Sequence, residues 1–254
     1  ERRSIPHRLP RRRRDVKPTL KFGDGAVFDR ELRRRVDQYF SERRLEKRDS
    51  PRMYRKTAAV LLWCLTSYIL LLCAAGTWWL GLTLAISLGL SMTAIAFNVQ
   101  HDGSHQAYSR SKRVNGLMTF SLDLLGGSSY LWALKHNTVH HSFTNVSGHD
   151  DDINLGALAR LTPDQPHRWY HRFQPYYLWI LYGFLTVKWQ FLDDYRDAII
   201  GQSGGRPCAR PRGKDLAVFL LGKTLFVTLA VVIPLTLNPL ATVVAAYAGA
   251  SFGA

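Results

Sequence analysis

From Thr57 through Gln100 the chain runs for 44 residues without one Asp, Glu, Lys or Arg. As a single helix that stretch would be about 66 Å long at ~1.5 Å per residue. This is roughly twice the ~30 Å hydrocarbon thickness of a bilayer, so two crossings with a tight reversal are the natural reading. Ala74-Ala75-Gly76-Thr77 supplies the reversal, with Trp78 and Trp79 at the interface. A third crossing is expected from about Leu216 to Leu237. Asn238-Pro239 then turns the chain into a fourth apolar run of 16 residues, which reaches Ala254 about one turn short of a span. The expected spans are thus about 57–76, 78–100, 216–237 and an incomplete 239–254.

Charge is distributed to match. The 254 residues carry 34 Lys and Arg against 19 Asp and Glu, a formal +15. Residues 1–56 hold 20 of the basic and 9 of the acidic residues, while 101–215 hold 13 and 10. Beyond Asp215 the only charged side chain is Lys223, two turns into the third span and long enough to snorkel back toward the basic side. Both reversals lack Lys and Arg, so the positive-inside rule puts the 1–56 tail and the 101–215 segment in the cytosol. The Arg11 to Arg14 run then reads as a solvated tail drawn to anionic lipid, and no nucleic-acid partner is expected. Behind it, Phe28, Leu32, Val36 and Tyr39 or Phe40 share one face of an amphipathic helix, suited to lie on the membrane or on the cytosolic region. Three Cys exclude a disulfide framework.

Five of the nine His fall between 101 and 141: His101 and His105 in HDGSH, then His136, His140 and His141 in HNTVHH. Helical residues four apart share a face, so each cluster can aim two imidazoles at one metal ion. His141, about 100° round from His140, is free to reach a second ion or a second helix's ion. Five imidazoles in a dry pocket beside lipid are costly without partners, and metal coordination supplies those partners. No HExxH glutamate is present, and Cys64, Cys73 and Cys208 lie elsewhere. Imidazole suits iron, copper, zinc and nickel alike. Placement at membrane depth favours an oxygen-activating iron site that a lipid chain can enter. A second i,i+4 pair, His167 and His171 in PHRWYHR, sits ahead of an apolar YYLWILYGFL run and reads as part of an interfacial helix.

At NVQHDGSH and LDLLGGSSYLWALKHNTVHHSFTNVSGHDDDINLG the sequence resembles the membrane fatty acid desaturases, the histidine-box di-iron enzymes of the front-end and linoleoyl-CoA type. The likeness in character extends from about Val27 to the end. It implies an all-α, multi-pass, four-helix membrane domain (57–254) with a helical cytosolic cap (101–215) behind a basic tail (1–56). It further implies two non-haem iron ions that use O2 to desaturate a fatty acyl chain, as acyl-CoA or acyl-lipid. Electrons would come from an external ferredoxin-like protein or cytochrome b5, since no HPGG haem motif is present. By this likeness His101, His105, His136, His140 and His141 are the metal ligands and the catalytic set. Asp102, Asn137, Asp150 and Asp152 are placed to receive imidazole N–H groups or to fix the boxes. Tyr130 and Trp132 are candidates to line an acyl channel or to pack at the interface.

The family pattern also includes a third box, HxxHH or QxxHH, whereas no His follows His171 here. The sequence therefore reads as a fragment cut most severely at its C-terminus, and inactive as it stands. An excess of Arg over Lys, 25 to 9, points toward a bacterial inner membrane rather than the endoplasmic reticulum. The competing expectations are another histidine-box oxygenase, acting on alkanes, lipids or carotenoids, and a non-enzymatic adaptor that binds anionic lipid.

Overall fold

The computed structural model describes residues 23, 25–150, 152–203 and 206–254. The Arg11–Arg14 run and Asp151 lie outside the described residues. Two units divide the chain, 1–45 and 46–254. In the first, helix α1 spans Ala26–Glu42 and buries none of its residues. Arg33 pairs with Asp29, and Arg34 and Arg35 share Glu31, each at 2.8 Å one helical turn away.

Among its described residues the second unit is all-α apart from one antiparallel strand pair, Gln202–Ser203 against Arg206–Pro207. Among the described residues its spine is three helices long and apolar enough to cross a membrane: α2 (Pro51–Ala74), α3 (Trp78–Ser104) and, further along the chain, Gly213–Leu237. The first starts six residues ahead of the uncharged run, on Pro51, because proline's missing N–H is harmless in a first turn. The second continues past the expected span through a π turn at Ala96–Gln100, so His101 lies on the helix itself rather than after it. Between the spans come α4 (Lys112–Leu124), α5 (129–140), and α6 (174–200) with a π turn at Trp189–Asp193. Then follow α7 (Gly213–Leu237) and α8 (Leu240–Gly253).

Small residues let the membrane helices close on each other, as is usual where lipid gives helices no hydrophobic drive to associate. Ala85 is wholly buried, and a Cβ on Gly89 would strike the backbone of Ala250 and Gly253 on α8. Ser87 ties α3 to α2 by accepting from the Trp63 indole and sharing a hydrogen bond with Ser67, each at 2.9 Å. In α7 a π turn at Thr228–Val232 precedes Pro234. In that register the Leu229 carbonyl would look to an N–H at position 234, which proline lacks. The Tyr68 hydroxyl of α2 donates to it instead, at 2.7 Å.

Lys223 departs from expectation. It does not snorkel: it is 4 % exposed and its ammonium donates to the Asp194 carboxylate at 2.8 Å and the Gly126 carbonyl at 2.6 Å. An unpaired ammonium at this depth would be expensive, and α6 brings the counter-charge to it. The pair joins α7 and α6 to the Gly126 turn, three residues before α5 begins.

Candidate metal centre

The two histidine segments meet through α3 and α5. His101 sits on the last turn of α3 and His105 just beyond it. The second segment follows a turn in which Ser128 caps α5 by accepting from the Leu131 N–H. Residues Ala133–His140 then form a π helix, and the N–H of His141 bonds the His136 carbonyl five residues back. A π turn returns a side chain to the same face after five residues rather than four. His136 and His141 therefore share a face, and both turn toward the first segment.

Four ring nitrogens converge there. The Nε2 atoms of His101 and His136 are 3.3 Å apart, those of His105 and His141 3.1 Å, and those of His136 and His141 3.2 Å. A metal ion about 2.1 Å from each imidazole nitrogen spaces neighbouring ligand atoms about 3.0–3.4 Å apart, so the donor set fits an ion by distance as well as by chemistry. Burial first, and then the neighbouring imidazoles, push the His105 and His141 rings below the ordinary histidine pKa, toward the neutral form that binds metal.

A second group, His136, His140 and Asp152, also has ligand atoms close enough to hold a metal. His136 is common to both, but its Nε2 faces His101 and His141. Its other nitrogen, Nδ1, is buried without a hydrogen-bond partner, 3.8 Å from Asp152. His136 and His140, four residues apart, thus share one candidate metal group as their spacing suggests; their rings stack, centroids 5.0 Å apart, and His140 Nδ1 faces the acidic loop.

That loop is ordered by Asp150, which is 1 % exposed. Its carboxylate meets His140 Nδ1 at 3.0 Å and accepts the backbone N–H of Asn145 at 2.8 Å and of Asp152 at 3.0 Å. Asp152 approaches His140 Nδ1 to 3.3 Å and Lys135 to 3.3 Å. The His136 imidazole, with Lys135 and His140, holds the Asp152 carboxyl at about 2, well below the usual carboxylate range. Asn137 is engaged by Ser104: its amide donates to the Ser104 carbonyl at 3.1 Å and accepts from the Ser104 hydroxyl, lashing α5 to the end of α3. Asp102 is loosely placed, 3.9 Å from His101. Trp132 lies flat on His136, ring centroids 4.2 Å apart, and Tyr130 donates to the Ala209 carbonyl.

Of the pair His167 and His171, the second is engaged elsewhere. His171 is buried, accepts the Arg168 N–H on Nδ1 and donates from Nε2 to the Ala157 carbonyl at 3.0 Å. Both its nitrogens are spent on pinning a loop. The sequence picked out Lys223 but not its partner Asp194, nor Trp189, which packs on Trp132 and donates to Asp194 at 2.9 Å. The signal was there, since a lone charge in an uncharged span demands a partner. Deeper between the helices, an apolar cavity of about 380 Å³ is lined by Leu61, Met92, Leu124, Phe226 and Tyr247 among others, and by no histidine.

A family model described as fatty acid desaturase matches residues 77–253. The chain is 35% identical over 227 residues to an sn-1 linoleoyl-lipid 6-desaturase of Arthrospira platensis, covering 89% of this chain and 62% of that protein. An enzyme of the same description from Synechocystis is 38% identical over 176 residues, 69% of this chain and 49% of its own. An acyl-lipid (8-3)-desaturase of Physcomitrium patens is 33% identical over 222 residues, 86% of this chain and 46% of its own. The chain thus spans between about half and three fifths of the length of these relatives. No solved structure matches.

Proposed function

This chain belongs to the fatty acid desaturase family, and from that premise we propose that the protein it represents desaturates the acyl chain of a membrane lipid at a histidine-bound di-iron centre, using O2. The observation that carries the reading is the convergence of His101, His105, His136 and His141 at the end of a membrane-length helix. The relatives' names favour an acyl-lipid over an acyl-CoA substrate, and favour desaturation over hydroxylation or a non-enzymatic role.

When bound, the two iron ions supply the oxidising power to take hydrogens from an unactivated methylene pair, which no side-chain acid or base can do. The chain's residues do the rest. The imidazoles of His101, His105, His136 and His141 aim their Nε2 atoms inward. Asp150 fixes the tautomer and ring plane of His140 by accepting its Nδ1–H, and the apolar helices keep water from the acyl chain. The N-terminus and both histidine segments face the cytosol, where an external ferredoxin-like protein or cytochrome b5 supplies electrons.

The test is expression of the full-length protein, beside its His140→Ala variant, in a host fed a panel of acyl substrates. New double bonds in the lipids of the wild-type strain alone are expected. Identical fatty-acid profiles in both strains would sink the assignment.

A further inference from the structure

Within its own unit, helix α1 carries an apolar stripe that none of that unit's described residues buries. Phe28, Leu32, Val36 and Tyr39 follow one another at helical spacing and are 73, 47, 42 and 48 % exposed. The helix itself is electrically neutral, with four Arg balanced by two Asp and two Glu. Its flanks are not: residues 1–25 carry nine basic and three acidic side chains, and 43–56 carry seven and two. Eight residues separate Glu42 from Pro51, where the first membrane-length helix starts.

We propose that α1 is an interfacial helix that binds the surface of anionic lipid. The stripe enters the boundary between headgroups and acyl chains, while the basic flanks on either side draw the segment to negative headgroups. A neutral helix between basic flanks divides the work in a way that can be separated by experiment. The apolar face sets whether the segment partitions, and the flanks set its preference for anionic lipid. A polar partner would match the flanks and leave the stripe in water. The bilayer satisfies both, and the membrane-length helix keeps it within reach.

Amide hydrogen exchange of the intact protein in nanodiscs tests this, one set of phosphatidylcholine alone and one containing about one third phosphatidylglycerol. Exchange over 26–42 is expected to slow about tenfold or more in the anionic discs at low salt, and to recover toward the zwitterionic rate at about 1 M salt. Phe28→Gln with Leu32→Gln keeps a helix-forming composition and should abolish the protection. Arg43→Gln with Arg44→Gln and Lys47→Gln should weaken the preference for anionic lipid, thirteen of the sixteen flanking basic side chains remaining, and leave partitioning through the stripe intact. Equal exchange in the two disc compositions, or wild-type protection in the Phe28/Leu32 variant, would overturn the proposal and place the stripe against protein instead. The readout is independent of catalysis, so it stands or falls apart from the desaturase reading.

Discussion

His136 and His141 lie five residues apart, yet their Nε2 atoms stand 3.2 Å from each other. The π helix from Ala133 to His140 makes this possible, because an α-helical turn would have brought His140 round instead. The consequence is a division of labour. His136 and His141 complete a four-nitrogen cluster with His101 and His105, while His140 is released to Asp150 and Asp152.

Substitutions should therefore separate the two groups. In the intact protein, His105→Ala and His141→Ala are expected to weaken metal binding at the four-histidine cluster, and His140→Ala at the neighbouring group. Metal per polypeptide, by plasma mass spectrometry after a chelator wash, reads this out. Indistinguishable occupancy in wild type and all three variants would refute the assignment.

Asp150 accepts from His140 Nδ1 and from two backbone N–H groups while almost wholly buried. Partners of this kind are typically worth 10–100-fold in metal affinity. Asp150→Asn should lower affinity by about that factor. Competition with a coloured chelator measures it, and Asp102→Asn, with its 3.9 Å contact, serves as the weaker comparison.

His171 has both ring nitrogens engaged within its own loop. His171→Ala should cost about 1–3 kcal/mol of stability by stranding the Arg168 N–H and the Ala157 carbonyl, while metal content per folded molecule stays unchanged. A drop in metal content at wild-type thermal stability would reverse this reading.

The Lys223–Asp194 pair is buried at 5 and 4 % side-chain exposure. Losing one partner leaves an uncompensated charge, so Lys223→Met should destabilise by about 3–5 kcal/mol. Replacing both, Lys223→Met with Asp194→Leu, should recover most of that loss. Thermal unfolding in detergent compares the three; a double variant no better than the single would argue against charge burial as the cause.

Asp123 lies behind Gly222 of α7, buried, with one carboxylate oxygen lacking a hydrogen-bond partner. Burial is the main cause that pushes its carboxyl up to about 6, from 3.8. Between these values the folded protein holds a proton that the unfolded chain has released. Stability from this group is therefore full below about pH 4 and is lost as pH rises through about 6, by roughly 3 kcal/mol in all. Asp123→Asn keeps the oxygen that accepts the Ser129 N–H and should flatten that part of the profile. A wild-type melting temperature that does not fall over this range, relative to the variant, would contradict it.

Much of this was legible along the chain, for reasons tied to particular residues. The break between Ala74 and Trp78 could be read because two helices must share an uncharged run too long for one. The turn at Asn238-Pro239 could be read because proline stops the helix before it. The five histidines announced themselves by clustering at the end of a span.

The sequence by itself determined the class of the protein, since water-free stretches and imidazole clusters are local properties. It could not determine which imidazoles meet. The α-helical period predicts one register, and the actual period is set where α5 packs against the end of α3, with Asn137 bonded to Ser104 and His136 against His101. Nor could it place the counter-charge of Lys223, which arrives from a helix 29 residues earlier. Both outcomes depend on contacts between segments far apart in the chain, which no local pattern of residues encodes: burying a charge demands a counter-charge from wherever the fold can bring one.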